Sequence, residues 1–317
     1  MKQRIILAGG SGFLGQALAA HFQKRDFEVI ILSRSAHRSD LIGRHVNWDA
    51  RTLGPWQSAL EGATAVVNLT GKSVNCRYNQ PNREEILGSR VDSTRVLGQA
   101  IARCAQPPGV WLNASTATVY RHTVDNSWDE RGETEASTEA KDQFSVEVAW
   151  AWERALNESL TPGTRKVALR MAMVLGLAKN SVFPMLRRLT RFGLGGKMGS
   201  GKQFVSWIHE IDFCRAIEWL INHQELEGPI NITAPNPVPN AEMMRLLRQV
   251  CHRPIGLPAT AWMLEVGAFL LRTETELIIK SRRVIPGRLL QSGFEFQVPT
   301  IREAFERLNN QCAGKTG

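Results

Sequence analysis

Apolar residues along the first two-thirds of this chain come in short, uninterrupted runs separated by amphipathic stretches. Runs at residues 4–8, 28–32, 45–48, 65–69, 110–114 and 166–171 are rich in Val, Ile and Leu and read as strands. They lack the polar alternation of a half-solvated strand, so both of their faces must be covered. Between them, residues 12–24 place Phe13, Leu14, Ala17, Leu18 and Phe22 on one side of a helix, and 90–103 and 143–160 are helical as well. Strand–helix alternation with right-handed crossovers predicts an α/β fold built on a parallel, doubly wound sheet.

Beyond about residue 178 the rhythm changes. Glycines crowd 193–201, prolines recur at 229, 235, 237, 239, 254, 258 and 286, and a short helix at 240–251 sits among loops. The pattern predicts a larger domain over 1–177 and a smaller α+β substrate-binding domain over 178–317. Residues 204–222, a strand and then a helix, return to the first domain.

The first strand runs directly into Gly9-Gly10-Ser11-Gly12-Phe13-Leu14-Gly15 and a helix. A tight turn needs the first glycine, a pyrophosphate needs a backbone with no side chain in its way, and helix–strand packing needs the third. The free N–H groups of the helix N-terminus then face the phosphates. This predicts a Rossmann-type dinucleotide site. The second strand selects the cofactor. It ends Leu32-Ser33-Arg34-Ser35 with Arg38 nearby and carries no acid for a ribose 2′-hydroxyl. A guanidinium there suits the 2′-phosphate of NADP(H), unless these are ordinary surface arginines. Asp49, after the third strand, either accepts from the adenine amine or caps its own turn.

Further motifs follow: Asn68-Leu69-Thr70-Gly71, Gly88-Ser89-Arg90, Ser115-Thr116-Ala117-Thr118-Val119-Tyr120, Trp152-Glu153, Leu169-Arg170, Val174-Leu175-Gly176, Ser206-Trp207-Ile208-His209 and Asn231-Ile232-Thr233-Ala234-Pro235-Asn236-Pro237. With the glycine loop and Arg283-Val284-Ile285-Pro286, they make the chain resemble extended short-chain dehydrogenase/reductases from residue 4 to about 308. More narrowly, it is similar to an atypical group of NAD(P)-dependent, nucleoside-diphosphate-sugar-epimerase-like proteins of unknown substrate. The resemblance implies cofactor contacts at Gly9 to Gly15, Ser33, Arg34, Leu69, Thr70 and Gly71. It brings Glu85, Arg90 and Ser115 to the same site, sets the Val174 backbone beside the nicotinamide, and implies a homodimer.

Ordinary members of that superfamily move a proton with a Tyr-x-x-x-Lys pair, the lysine lowering the tyrosine pKa. Here Tyr78 is followed four residues later by Asn82 and Tyr120 by Val124, and these are the chain's two tyrosines. If Trp152-Glu153 marks the helix register, Ser145 and Ala149 hold the positions of the pair. The substrate-orienting hydroxyl survives as Thr116, the candidate catalytic residue, at the end of the fifth strand, unless it simply packs in a turn. Glu130, Asp142, Glu147 and His209 are substitute acids or bases to weigh against surface or structural roles. The loop 193–202 either closes over an anionic ligand or connects elements.

Charge and composition narrow the classes. The net charge is +9, but basic residues are scattered in runs no longer than two, which argues against nucleic acid. Five widely spaced cysteines without a C-x-x-C pair predict neither a disulfide framework nor a metal site. No apolar stretch reaches the roughly 18 residues of a membrane span, and the expected setting is cytoplasmic. The expectation is an NADP-dependent oxidoreductase or epimerase acting on a small hydroxyl-bearing or nucleotide-sugar-like substrate. A non-catalytic NADP(H)-binding sensor is the alternative.

Overall fold

Strand β1 (Arg4–Ala8) is flanked in parallel by β2 (Glu28–Ser33), with Ile5 opposite Val29, and by β4 (Ala65–Asn68), with Ile6 opposite Val66. In this computed structural model, which describes residues 2–34, 41–260 and 276–313, these three are adjacent strands of a seven-stranded parallel sheet. Its order is β10-β6-β5-β4-β1-β2-β3, with β3 at Arg44–Asn47, β5 at Val110–Thr116, β6 at Arg165–Met171 and β10 at Gly228–Ile232. The order reverses between β1 and β4. In open α/β sheets the crevice beyond the strand C-termini at that point takes the ligand.

Both faces of every central strand are apolar because both are covered. Ile5, Leu7, Val29, Ile31, Val67 and Leu112 pack on α1 (Phe13–Gln23) and α5 (Glu210–Asn222) through Leu18, Phe22, Phe213 and Ile217. The alternate residues Ile6, Ala8, Ile30, Leu32, Val66 and Trp111 pack on α2 (Gln80–Ile101) through Val96, Leu97 and Ile101. Each such side chain contributes about 1.5–3 kcal/mol by leaving water. A slip of one residue would leave the strand apolar but exchange its partners.

Two elements depart from the sequence pattern. Helix α2 begins at Gln80, ten residues before residue 90. Asn79 Oδ1 accepts from the Asn82 amide at 3.0 Å and Pro81 sits in the first turn, while the exposed first turns carry no apolar stripe. Strand β10 opens Gly228-Pro229, a loop signal, yet runs parallel to β6 as an edge strand, where proline is tolerated. Helix α3 (Gln143–Asn157) falls where expected and packs against α2.

A third core gathers β7 (Met173–Leu175), β9 (Trp207–His209), α4 (Val182–Arg191), α6 (Asn240–Val250) and the C-terminal helix α9 (Ile301–Ala313), through Phe183, Trp207, Met244, Leu247 and Phe305. Short helices α7 (Glu276–Ile279) and α8 (Gly287–Gln291) lie between. Within 204–222, β8 (Phe204–Val205) pairs antiparallel with β11 (Val238–Pro239), whereas α5 packs on α1 under the main sheet. Among the described residues no helix is long and apolar enough to cross a membrane.

Candidate functional site

A cleft of about 440 Å³ opens at the C-terminal ends of β1, β4 and β5. Its floor is the glycine loop. Gly9 turns the chain at φ +75°, and a Cβ there would come within 3.0 Å of the Thr70 amide. At Gly15 a Cβ would lie 2.4 Å from Gly10 Cα, so α1 can start this close to the loop only without a side chain. Gly12 differs: its φ of −82° suits any residue, and among the described residues a Cβ would meet only the Gly9 carbonyl, at 3.7 Å, which leaves the space above it open to them. Helix α1 starts there with no side-chain cap and no acidic residue in its first turn, so its positive end faces the cleft.

The opposite wall follows β4. Buried Asn68 donates to Asn113 Oδ1 (2.8 Å) and accepts from the Thr70 amide (3.1 Å), and Trp152 Nε1 donates to Thr94 Oγ1 (3.1 Å) in the same network. This fixes Leu69, Thr70 and Gly71 over the glycine loop. Thr70 Oγ1 is buried with no hydrogen-bond partner among the described residues. Arg90 lies over the Trp152 ring (5.0 Å) and beside Gly71, and burial pulls its guanidinium down to about 10.

At the β2 end, Arg34 is exposed, and its charge, with that of Lys72, holds the Glu85 carboxyl below its ordinary value, the Lys72 hydrogen bond being the main cause. Glu85 is ion-paired with Lys72 on the outer face of α2. The Ser33 hydroxyl is turned away onto His45 Nε2 (2.6 Å) and is buried. Arg38 lies outside the described residues. Asp49 caps its own turn, accepting from the Arg51 and Thr52 amides at 2.9 Å, and these bonds with the Thr52 hydroxyl bring its carboxyl down to about 2.

At the β5 end, Thr116 lines the cleft, and its Oγ1 also caps the next turn by accepting from the Thr118 amide at 3.1 Å. Ser115 lines it too but donates its hydroxyl to Glu153 (2.7 Å). Val174 sits in β7, just past the lining residues Met171 and Ala172. Of the substitute acids, none lines the cleft. Glu147 accepts from Gln143 on the exposed side of α3, Asp142 is ion-paired with fully buried Lys280, and Glu130 clamps the Asn231 and Arg288 amides. His209 caps α5 through the Ile211 amide (3.1 Å), and burial takes its ring down to about 4. The 193–202 loop is tied by backbone bonds between Gly196 and Leu257 and between Gly199 and Ala259.

The sequence model of the NAD dependent epimerase/dehydratase family matches residues 5–233, well over half of the chain. The chain belongs to that family. A second model, for a domain of unknown function (DUF1731), matches residues 259–308. The epimerase family protein YfhF of Bacillus subtilis is 30% identical over 96% of this chain and 97% of its own. The epimerase family protein ML0860 of Mycobacterium leprae is 32% identical over 96% and 94%. The crystal structure of human epimerase family protein SDR39U1 (isoform2) with NADPH superposes with a TM-score of 0.85 at 26% identity, covering 97% of this chain and 99% of that one.

Against this family's ordinary members the α3 positions are unusual: Ser145 lines the cleft, and the residue four further on is buried Ala149. Tyr78, which carries no motif in the sequence, reaches the same spot from the loop before α2 and packs on Phe144 (5.1 Å). The segment after residue 275 closes the adjoining side. Lys280 donates to the Thr118 carbonyl, and Arg282 Nε to the Thr118 hydroxyl (3.1 Å). Glu276, Lys280 and Arg282 stood in no recognisable pattern; only proximity in the fold reveals them.

Proposed function

We propose that this chain holds NADP(H) in the cleft and acts as an oxidoreductase or epimerase on a small hydroxyl-bearing substrate, nucleotide-sugar-like in class. The observation that carries the reading is the space over Gly12 at the uncapped start of α1, open among the described residues, which suits a pyrophosphate. The Thr70 hydroxyl nearby, without a partner among the described residues, fits a ligand acceptor, and the NADPH bound to the human relative supports the choice of dinucleotide. Gly9, Gly10, Ser11, Gly12, Phe13, Leu14 and Gly15 would cradle the phosphates, with Leu69, Thr70, Gly71 and Arg90 opposite. Arg34, with Arg38, would meet the 2′-phosphate, Glu85 and Ser33 framing that end. When bound, the cofactor would supply or accept hydride, and Ser115, Thr116 and the Val174 backbone would hold its nicotinamide end. Thr116 orients the substrate oxygen.

Fluorescence titration with NADPH, NADP, NADH and NAD tests this. The phosphorylated pair is expected to bind tightest, and Arg34→Asp to weaken NADPH by about tenfold or more while NADH changes little, since a charge-assisted bond contributes about 1.5–3 kcal/mol. Equal weakening of both would remove Arg34 from the 2′-phosphate. In turnover, Thr116→Val is expected to lower kcat with unchanged NADPH affinity; unchanged kcat would leave Thr116 as a turn cap.

One observation favours a second reading, a non-catalytic NADP(H) sensor. Ser145 and Ala149 cannot form the usual tyrosine–lysine couple on α3. Tight NADPH binding without NADPH oxidation by any carbonyl compound would support it.

A further inference from the structure

Five of the ten large apolar side chains that stand exposed among the described residues fall in two short segments around the third core. Met185 and Phe192 lie seven residues apart on α4, hence on one side of it, and Leu194 comes just past its end. Ile255 and Leu257 follow α6. The two segments are laced together. The Leu257 amide donates to the Gly193 carbonyl (2.8 Å), the Gly196 amide to the Leu257 carbonyl (3.1 Å) and Arg248 Nη1 to the Gly195 carbonyl (2.7 Å). A Cβ on Gly256 would lie 2.6 Å from the Gly195 carbonyl carbon. The loops therefore meet backbone to backbone, and their apolar side chains share one region of the surface.

The chain around that region carries one sign of charge. No Asp or Glu occurs from residue 159 to 209 or from 243 to 260. Arg188, Arg191, Lys197 and Arg253 are exposed within the same stretches. An apolar patch this concentrated marks a binding surface, and the cations around it call for an anionic partner.

We propose that this face lies on the surface of an anionic phospholipid bilayer. Phe192, Leu194, Ile255 and Leu257 enter between the headgroups, while the three arginines and Lys197 meet lipid phosphates. Apolar burial at the acyl boundary then adds to the attraction of each cation for the negative surface, with no spanning segment required. A second copy of the chain suits this face poorly, because cations would meet cations. Phe192 and Ile255 are 77% and 72% exposed, so they project instead of lining a groove. A fluid interface accepts such projections without a matching socket. None of these residues lines the cleft, so the proposal is independent of the cofactor reading.

Sedimentation of the full chain with vesicles of phosphatidylcholine, alone or with about a quarter phosphatidylglycerol, tests this. At low salt the mixed vesicles are expected to carry the protein down and the neutral ones to leave it in solution. Phe192→Ser/Ile255→Ser and Arg188→Gln/Arg191→Gln are each expected to weaken binding by about tenfold or more. Their thermal midpoints should stay within about 2 °C of the parent, since all four side chains are exposed. Lys24 and Arg103, exposed just past the ends of α1 and α2, supply the control. Lys24→Gln/Arg103→Gln removes the same charge and is expected to leave binding within about threefold of the parent. The proposal is overturned if the parent ignores the mixed vesicles, if Phe192→Ser/Ile255→Ser binds like the parent, or if the control pair weakens binding as much as Arg188→Gln/Arg191→Gln. Binding to polyglutamate in place of vesicles would give the face to an acidic protein and overturn it as well.

Discussion

Replacing Arg170 by methionine is expected to lower the thermal midpoint by roughly 6–20 °C. Arg170 forks Glu153 with two bonds of 2.9 Å, Nε to Oε1 and Nη2 to Oε2, and its Nη1 donates to the Tyr120 hydroxyl at 2.9 Å. Tyr120 donates onward to Asn231 (2.7 Å), and Ser115 donates to the same Glu153 (2.7 Å). The charged side chains are 9% and 14% exposed, so solvent screens them little. Loss of one partner leaves the other charge buried, at about 3–5 kcal/mol, and each kcal/mol moves the midpoint about 2–4 °C in a domain of this class. The double variant Glu153→Leu/Arg170→Met is expected to melt closer to the parent than Arg170→Met, because neither charge is then stranded. Calorimetry checks this. A single-variant loss below about 1 kcal/mol, or a double variant worse than Arg170→Met, would mean that the network contributes shape rather than paired charge.

Gly12→Val should abolish dinucleotide binding while leaving the fold intact. Its backbone is one a valine adopts, and among the described residues beyond its chain neighbours only the Gly9 carbonyl lies within 4 Å of the new Cβ, at 3.7 Å, which is ordinary contact. The added methyls fill the space that the pyrophosphate needs. A loss of at least 100-fold in NADPH affinity, about 2.7 kcal/mol, is expected with a thermal midpoint within about 2 °C of the parent in the absence of cofactor. Gly15→Ala separates the two effects, since its Cβ would strike Gly10 and should lower both affinity and stability. Gly12→Val binding NADPH as tightly as the parent would put the phosphates elsewhere.

The sheet was legible because its constraint is local. Residues 5 to 8 and 29 to 32 are apolar at odd and even positions alike, and the structure uses both sets, one against α1 and α5 and the other against α2. β10 was hidden because Gly228 and Pro229 give a loop signal that pairing with β6 overrides. The glycine loop declared itself through spacing, which gave Gly15 to packing and Gly12 to a ligand; the structure adds that the atoms barring a side chain at Gly15 are those of Gly10. Trp152, Glu153, Arg170 and Asn231 stood out as motif residues without showing why. Their reason is long-range: Trp152 supports the β4 loop through Thr94, and the others share one buried network. Tyr78 was silent, since it belongs to no spacing and only the fold brings it beside Phe144 and Ser145 in the cleft.

The clasp of Lys280 on the Thr118 carbonyl and on Asp142 also sets a schedule for the chain's birth. Lysine and threonine are 162 residues apart. On a ribosome adding about 5–20 residues per second, the lysine follows the threonine by roughly 8–30 s. Through that interval the sheet can pair its first six strands and the glycine loop can form, while Asp142 waits in water for its cation. The nascent protein thus owns a floor and one wall for its ligand well before it owns the side that Lys280 clasps shut.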